Sequence, residues 1–490
     1  MSTATVAGCF RDKSILITGS TGFLGKMAVE KILRIQPDVK KLYLLVRASD
    51  NASAKKRVIT EIIGKDLFNV LREEHGPNFD KFVDEKITPM AGDITCEDFG
   101  LERFEILKLA QEIDTIINAA ATTNFYERYD VALASNALSV KYILQFAKQS
   151  YVAGEQKGLL LEKPFKMGET LKQGFDMDIQ AEKQLVEKYK SDKLSAKTSA
   201  QLEKRAMKEL GLKRARNFGW PNTYVLTKAM GEMLLGQLGG DLPVVIVRPS
   251  MVLSTIEDPM PGWIEGVRTI DAFIVGYADQ IIPCFPLDRK AIIDVIPGDM
   301  VINAMLLAIA THWNKQSHVI YHVSSSTENP MPSSTIVESM YRYFSIYPYT
   351  THKGTTEKQK VLLFNRYKYF QTYAFIVYKL PLESTSCDNQ LLHMVNWLPC
   401  GMFSRHYNKF SREYNRFMLL AKFYAPFTFN KGYFDATNLK RLRIAARKAY
   451  RDAHMFNTDP TSINWASYLF NIHIPAVVKC TLEKKTSLPA

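Results

Sequence analysis

The sequence predicts an α/β fold: a doubly wound parallel Rossmann-type sheet with an inserted helical segment, followed by a mainly α-helical C-terminal domain. Three observations carry that expectation. Short β-branched runs alternate with helical patterns over the first 150 residues, the signature of a parallel sheet wound by crossover helices. A glycine-rich turn joins the first run to an apolar helix, and after about Ser325 strand signal gives way to helices dense in Tyr, Phe and Arg. With 490 residues the chain exceeds one ordinary domain, since domains hold roughly 100–200 residues. The division expected is 1–325 for the Rossmann-type domain, with a helical insertion at about 155–219, and 326–490 for the helical one.

Taken in order, residues 14–19 (SILITG), 41–47 (KLYLLVR), 86–91 and 114–119 (DTIINA) are buried-strand patterns, with apolar residues at helical spacing between them. Residues 242–248 (LPVVIVR) and 318–324 (HVIYHVS) supply two more strands of the same sheet. The stretch 155–219 is rich in Lys, Glu, Ala and Leu and nearly free of strand signal, hence the insertion. Its basic end (Lys204, Arg205, Lys208, Lys213, Arg214, Arg216) is read as a solvated helix face, with substrate phosphates as the alternative partner. Helices are expected at 334–347, 367–380, 411–425 and 436–454.

Hydrophobic residues at 46% and charged residues at 23% exclude disordered, collagenous and mucin-like chains. The net charge of +13 favours polyanionic partners: nucleic acid, anionic lipid or a phosphorylated cofactor. The charge is spread along the chain without zinc-finger spacing or an RNA-binding signature, so nucleic acid is not expected as a partner. Six scattered cysteines give neither a disulfide framework nor a metal site and imply a reducing compartment. The N-terminus lacks the apolar core of a signal peptide, and no transit peptide is expected. The most apolar stretch, 291–313, is broken by Asp294, Asp299 and Asn303, so any membrane contact would be peripheral.

The strongest local signal is Thr18-Gly19-Ser20-Thr21-Gly22-Phe23-Leu24-Gly25, between a strand and a helix. Gly19 permits the tight turn, Gly22 lets the backbone approach a pyrophosphate, Gly25 allows the helix to pack closely on the sheet, and the helix N-terminus attracts the anion. The second strand ends in Arg47 with no carboxylate at that position, which selects NADPH, because an acidic residue there would hold a ribose 2′-OH whereas a basic one accepts a 2′-phosphate. Asp93, after the third strand, either accepts a bond from the adenine amino group or caps a turn. Tyr224 and Lys228 lie one turn apart within a predicted helix from about Pro221 to Leu235 and so share a face. A Tyr hydroxyl with the usual pKa of about 10 becomes a usable proton donor when a Lys ammonium and a nicotinamide charge lower it.

At this point the chain resembles the extended short-chain dehydrogenases and, more finely, the plant-type alcohol-forming fatty acyl-CoA reductases. The matching landmarks are the TGSTGFLG turn, the run from Asn118 and Ala119 through NAAATTNFYERYD, LEKPF at 161–165 in the form Leu161-Glu162-Lys163-Pro164-Phe165, Tyr224 with Lys228, Arg248-Pro249-Ser250 and DVIPGDMV at 294–301. The terminal region, from FNTDP at 456–460 to HIP at 473–475, is similar to that family's C-terminal helical domain. The resemblance implies reduction of a long-chain acyl-CoA to a primary alcohol with two NADPH and release of CoA, for wax, cuticle or suberin lipids. It implies Tyr224 as proton donor, Lys228 as its electrostatic partner on the nicotinamide ribose, and cofactor contacts at Asn118, Ala119 and Pro249. With substrate supply, it also implies residence on the cytosolic face of the endoplasmic reticulum, the cytosol being the alternative.

One departure from the family pattern stands out. The relatives carry a further strand after the helix at 131–148, closing with a Ser/Thr that binds the carbonyl oxygen, and here Lys148 joins almost directly to Tyr151. The sheet is therefore expected to lack one strand between Lys148 and Tyr151, or to fill the gap from elsewhere, with 159–161 as a short substitute. Ser150 does not align with the relatives' hydroxyl residue. This departure keeps two alternatives in view: a non-catalytic acyl-CoA- or NADPH-binding protein, and a related NADPH dehydrogenase or epimerase acting on a smaller substrate.

Overall fold

Strand β1 (Ser14–Thr18) is buried at every position and is paired on both sides, which makes it an interior strand of a seven-stranded sheet. A run of Ile and Leu flanked by Ser and Thr suits a strand covered by helices on both faces. The computed structural model describes residues 4–147, 152–155, 162, 164–172, 174–195, 199–313, 315, 318–348, 350–351, 354–355, 360–380 and 433–486, with scattered positions between 411 and 429.

The described chain forms two compact units, each drawn from three stretches of sequence. The first takes Met1–Trp263, Val295–Thr327 and Phe434–Ser462; the second takes Ile264–Asp294, Glu328–Tyr433 and Ile463–Ala490. The expected division placed a single boundary after residue 325, whereas these units interleave along the chain.

In the first unit, β1, β2 (Lys41–Val46), β3 (Ile87–Ala91), β4 (Thr115–Asn118), β5 (Val152–Glu155) and β6 (Val244–Pro249) are followed by the short β7 (Met251–Leu253), β8 (Cys284–Pro286, in the second unit) and β9 (Val295–Pro297), then β10 (His318–Val323). The large sheet has the order β10-β6-β5-β4-β1-β2-β3 and every pairing in it is parallel. This is the doubly wound arrangement expected, with the order reversing beside β1, where such sheets bind ligands at their carboxyl ends.

The gap expected in this sheet is filled. Strand β5 pairs with β4 through Ile116↔Val152, Ile117↔Ala153 and Asn118↔Gly154, and with β6 through Gly154↔Ile246 and Glu155↔Val247. Of the two expectations, compensation is what the structure shows, and the compensating segment is 152–155 rather than 159–161, which lies outside the described residues. The physical reason is the ladder: a vacant slot would leave N–H and C=O groups of β4 and β6 unpaired, at about 1–3 kcal/mol each. Lys148, Ser150 and Tyr151 also lie outside the described residues.

The insertion contributes two helices, Ile179–Ser195 and Ala200–Asn217. They share a core with the helix Thr223–Leu238 through Val186, Met207, Ala215, Phe218, Trp220, Leu226 and Met230. Glu182 is buried, accepts from the Tyr129 hydroxyl at 2.7 Å and pairs with Arg214. Arg214 is therefore a structural cation, which departs from the solvated face expected of the basic segment because buried Glu182 needs a counter-charge, while Lys208 lies over the Tyr126 ring at 4.9 Å.

The second unit contains the helices Ile270–Ala278, Ser333–Ile346, Tyr367–Ala374 and Ile474–Thr486. Its core is aromatic: Tyr277 meets Tyr341 and Phe344 at 5.6 Å, and Phe273 meets Phe285 at 5.0 Å. The helix expected at 436–454 belongs to the first unit and ends earlier, spanning Thr437–Ala449.

Candidate active site

The glycine turn is built as its sequence demands. Gly19 has φ +68°, in the left-handed region, and an added Cβ would meet Ala120 N at 2.5 Å. At Gly25 the added Cβ would lie 2.2 Å from the Gly19 carbonyl oxygen. Thus Gly19 allows the turn to lie against Asn118–Ala120, and Gly25 allows the helix Phe23–Ile35 to close onto the turn. Thr18 donates from Oγ1 to Asn118 Oδ1 at 2.6 Å, locking the ends of β1 and β4 together, and Ala119 N donates to Thr18 O at 3.2 Å. Phe23 stacks on Trp263 at 5.0 Å.

Two features fit this turn to a dinucleotide phosphate. Gly22 is the N-cap of a 13-residue helix that no side chain caps, which leaves N–H groups and the positive end of the helix dipole for an anion. The Ser20 hydroxyl is buried and finds no hydrogen-bond partner among the described residues, an orphan that a ligand oxygen would satisfy. Ser250, next to Pro249 at the carboxyl end of β6, holds a second orphaned hydroxyl.

Tyr224 and Lys228 are 4% and 8% exposed, on the helix Thr223–Leu238. Asn222 starts that helix by accepting from Val225 N at 3.0 Å. Because the helix leads into parallel β6, its N-terminus and Tyr224 lie toward the carboxyl edge of the sheet, the edge that carries the glycine turn. The Phe125 ring stands 5.8 Å from that of Tyr224. Asn136, buried, accepts from Thr122 N at 3.0 Å and donates to Thr227 Oγ1 at 3.1 Å, tying the Asn118–Asp130 run to the turn between Tyr224 and Lys228.

The same helix face continues one turn further to Glu232. Its carboxylate, fully buried, pairs with Arg248 and accepts from Phe165 N at 3.0 Å. Burial pushes the Glu232 carboxyl up and Arg248 pulls it back. Arg248 also donates from Nη1 to His322 Nε2 at 2.9 Å. Arginine has only donors, so Nε2 accepts, the imidazole is the Nδ1–H tautomer, and Nδ1 donates to Asp435 O at 2.8 Å. Burial and the Arg248 charge hold the His322 pKa down at about 4. Glu162 accepts from His322 N and Asn438 N, so both described ends of the LEKPF run, Glu162 and Phe165, are fastened to this network. None of this network was assigned from the sequence. The signal was there in the spacing: Tyr224, Lys228 and Glu232 recur every four residues, and Arg248 sits in an otherwise apolar strand.

Among the predicted cofactor residues, Thr18, Gly19, Ser20, Thr21, Gly22, Phe23, Leu24, Gly25, Asn118 and Ala119 form one contiguous edge. Arg47 follows β2, is exposed, and its carbonyl accepts from Arg57 Nη1 at 2.6 Å. Asp50, the nearest following carboxylate, is committed to its own helix cap, accepting from Ser53 N at 2.7 Å. Asp93 Oδ1 accepts from Thr95 N and Thr95 Oγ1, both at 2.9 Å, so the turn-capping role is realised. The hydroxyl residue sought after the helix at 131–148 is not at the end of β5, which closes on Glu155.

Comparison with known proteins follows this geometry. Residues 17–305 match the NAD-binding region described for male sterility proteins, and residues 390–484 match a second region of the same description. The chain is 42% identical over 488 residues to the alcohol-forming fatty acyl-CoA reductase of Simmondsia chinensis, covering 96% of this chain and 98% of that one. It is 41% identical over 490 residues to fatty acyl-CoA reductase 1 of Arabidopsis thaliana, with the same coverages. Among solved structures it is similar in fold to the terminal R domain of the myxalamid PKS-NRPS pathway (TM-score 0.57, 17% identity, 98% and 92% of the two chains). The same holds for the reductase domain of a non-ribosomal peptide synthetase from Mycobacterium tuberculosis (TM-score 0.56, 15% identity, 99% and 96%).

Proposed function

Because this chain belongs to the male sterility family, that of the plant alcohol-forming fatty acyl-CoA reductases, we propose that it reduces long-chain acyl-CoA to a primary alcohol with NADPH. The observation that carries the reading is the buried Tyr224–Lys228 pair, on a helix that starts at the sheet edge where the glycine turn lies. The balance is one acyl-CoA, two NADPH and two protons giving one alcohol, free CoA and two NADP+. Bound NADPH supplies hydride to the carbonyl carbon at each of two stages. The chain's part is to hold the substrate carbonyl by the Tyr224 hydroxyl and to move protons there. When the first oxyanion collapses, the carbon–sulfur bond breaks and CoA leaves as thiolate. The aldehyde then takes the second hydride, and its oxygen takes the Tyr224 proton. Lys228, one turn away, supplies positive charge beside the phenol.

The reading predicts primary alcohol, by gas chromatography, from palmitoyl-, stearoyl- or longer acyl-CoA with NADPH. Tyr224→Phe lowers turnover by about 10²–10⁴ while calorimetric NADPH binding persists. The rival reading, binding without turnover, rests on the sequence, where Lys148 joins almost directly to Tyr151 and Ser150 does not align with the relatives' hydroxyl residue. Coenzyme binding by the wild type with no alcohol from any chain length would select it. Loss of one oxyanion donor costs about 10²–10³ in rate, so slow turnover still belongs to the reductase.

For the coenzyme, the exposed Arg47 just after β2 supports NADPH over NADH, whereas Arg57 is held by Glu61 and the Arg47 carbonyl. Arg47→Asp is expected to lower the NADPH:NADH ratio of kcat/KM by about tenfold or more, the worth of one charged phosphate contact. No helix among the described residues is long and apolar enough to cross a membrane. A peripheral position on the cytosolic face of the endoplasmic reticulum, feeding wax, cuticle or suberin lipids, is part of this proposal.

A further inference from the structure

A cleft of about 440 Å³ lies in the first compact unit, between the helix Thr437–Ala449, the turns that follow it to Ser462, Glu257, and Leu307 of the helix Gly298–His312. None of its lining residues belongs to the glycine turn or to the Tyr224–Lys228 helix. Asp258, beside Glu257, is tied to Lys31 and Arg34. These stand roughly 14–18 Å along their helix from Gly22, at 1.5 Å per residue. The cleft thus lies toward the far end of that helix from the cofactor turn.

Its floor is apolar, formed by buried Leu307, Ala446, Ala453 and Phe456. Its cations are Arg443 and Arg447, one turn apart on the helix at a spacing where like charges repel, and Arg451 in the turn just beyond the helix end. Arg443 is only 8% exposed and is fixed in place, donating to Thr458 O at 3.2 Å and lying 3.6 Å from the Asp459 carboxylate. Arg447 and Arg451 are exposed. Thr458 lines the cleft, is 2% exposed, and its hydroxyl has no hydrogen-bond partner among the described residues.

The geometry points to a second ligand site here, one that takes an organic phosphate monoester with an apolar or aromatic body. Phosphoryl oxygens answer both needs of the cleft, accepting from the guanidinium groups, which bind phosphate bidentately, and from the orphaned Thr458 hydroxyl. The apolar floor takes the body of the ligand, and the volume falls within the usual small-molecule range of about 300–1,000 Å³. A soluble phosphate ester and a lipid headgroup share this chemistry. Ile444 and Met455, exposed on the helix and turn that line the cleft, favour the lipid.

The test is titration calorimetry on the full chain saturated with NADP+, so that the cofactor turn is blocked, using phenyl phosphate and soluble dihexanoyl phosphatidic acid. One-site binding is expected, weakened about tenfold or more by Arg447→Glu with Arg451→Glu and about threefold or more by Thr458→Val. Acyl-CoA reduction and the thermal midpoint of Thr458→Val stay at wild-type levels, separating lost binding from lost fold. Tighter binding of the lipid, with arginine-dependent sedimentation on phosphatidylcholine vesicles containing phosphatidic acid, assigns a headgroup. Binding of phenyl phosphate without sedimentation assigns a soluble ester. Absence of one-site binding by both probes up to about 1 mM, or binding untouched by the arginine changes, overturns the site.

Discussion

Gly25 sits where a methyl group has no room. A Cβ there would lie 2.2 Å from the Gly19 carbonyl oxygen, and that neighbour is backbone, so relief means moving the turn itself. Gly25→Ala is therefore expected to abolish calorimetric NADPH binding, while the unfolding free energy of the coenzyme-free protein, from urea unfolding, falls by less than a core truncation would cost, about 2–5 kcal/mol. Unchanged coenzyme affinity would mean that the turn is not the phosphate cradle. At this scale the glycine turn was legible where backbone geometry dictates identity, as at Gly19 and Gly25. It was not legible where a side chain's meaning depends on a distant partner. Glu232 and Arg248 are ordinary letters until β6 is laid beside the helix Thr223–Leu238 and buries them together. Asp93 shows the intermediate case: its turn-capping bond to Thr95 is local and was foreseen as one of two readings, while a ligand contact depends on what lies beyond the chain.

Among the elements, the buried network from Glu232 through Arg248 to His322 joins a helix to two adjacent strands, β6 and β10, and its weak point is the imidazole. His322 holds its pKa at about 4 when folded, against an ordinary value of 6.5, because burial and the Arg248 charge oppose protonation. Between those values the unfolded chain binds more protons than the native one. The contribution of this group is therefore intact above pH 6.5 and is lost as pH falls from 6.5 toward 4. A shift of this size corresponds to about 3 kcal/mol at most. His322→Gln keeps an acceptor for Arg248 and a donor for the Asp435 carbonyl but cannot titrate. Its stability deficit relative to wild type, from urea unfolding, is expected to shrink by about 2 kcal/mol between pH 7 and pH 4.5. A deficit that stays constant would show that His322 does not titrate in the folded protein's favour. The comparison of two variants cancels other groups such as Glu30, whose carboxyl burial raises to about 7. Strand β5 teaches a different lesson at the same scale. Its four residues carry little strand signal of their own, because Gly and Glu disfavour strands, and the parallel ladders of β4 and β6 override that preference. A reading residue by residue predicted a gap; the open hydrogen bonds on either side dictate that something fills it.

Across the whole molecule, the parallel sheet was legible because six of its seven strands announce themselves as apolar runs, and their observed limits fall within two residues of those expected. The interleaving of the two compact units was not legible, because composition changes once along the chain while the chain exchanges between the units repeatedly. Net charge is the property that belongs to this scale alone. The chain carries +13, and the proposed ligands, NADPH and acyl-CoA, are multiply anionic. A cationic protein raises the encounter rate with such ligands by long-range attraction, by about 10–10³-fold where the field is focused. The attraction reaches about 30 Å at 0.01 M salt and about 8 Å at 0.15 M. Stopped-flow quenching of tryptophan fluorescence by NADPH should therefore show an association rate constant that falls about tenfold between those ionic strengths. The dissociation rate constant should change less, because it reports contacts already made at short range. If association were insensitive to salt, the excess charge would be serving solubility or another surface, such as the Arg447–Arg451 rim, rather than delivery of the coenzyme. A fall of equal size in an Arg447→Glu, Arg451→Glu protein would show that the field guiding NADPH comes from the remaining cations. A flattened dependence would locate its source on that rim.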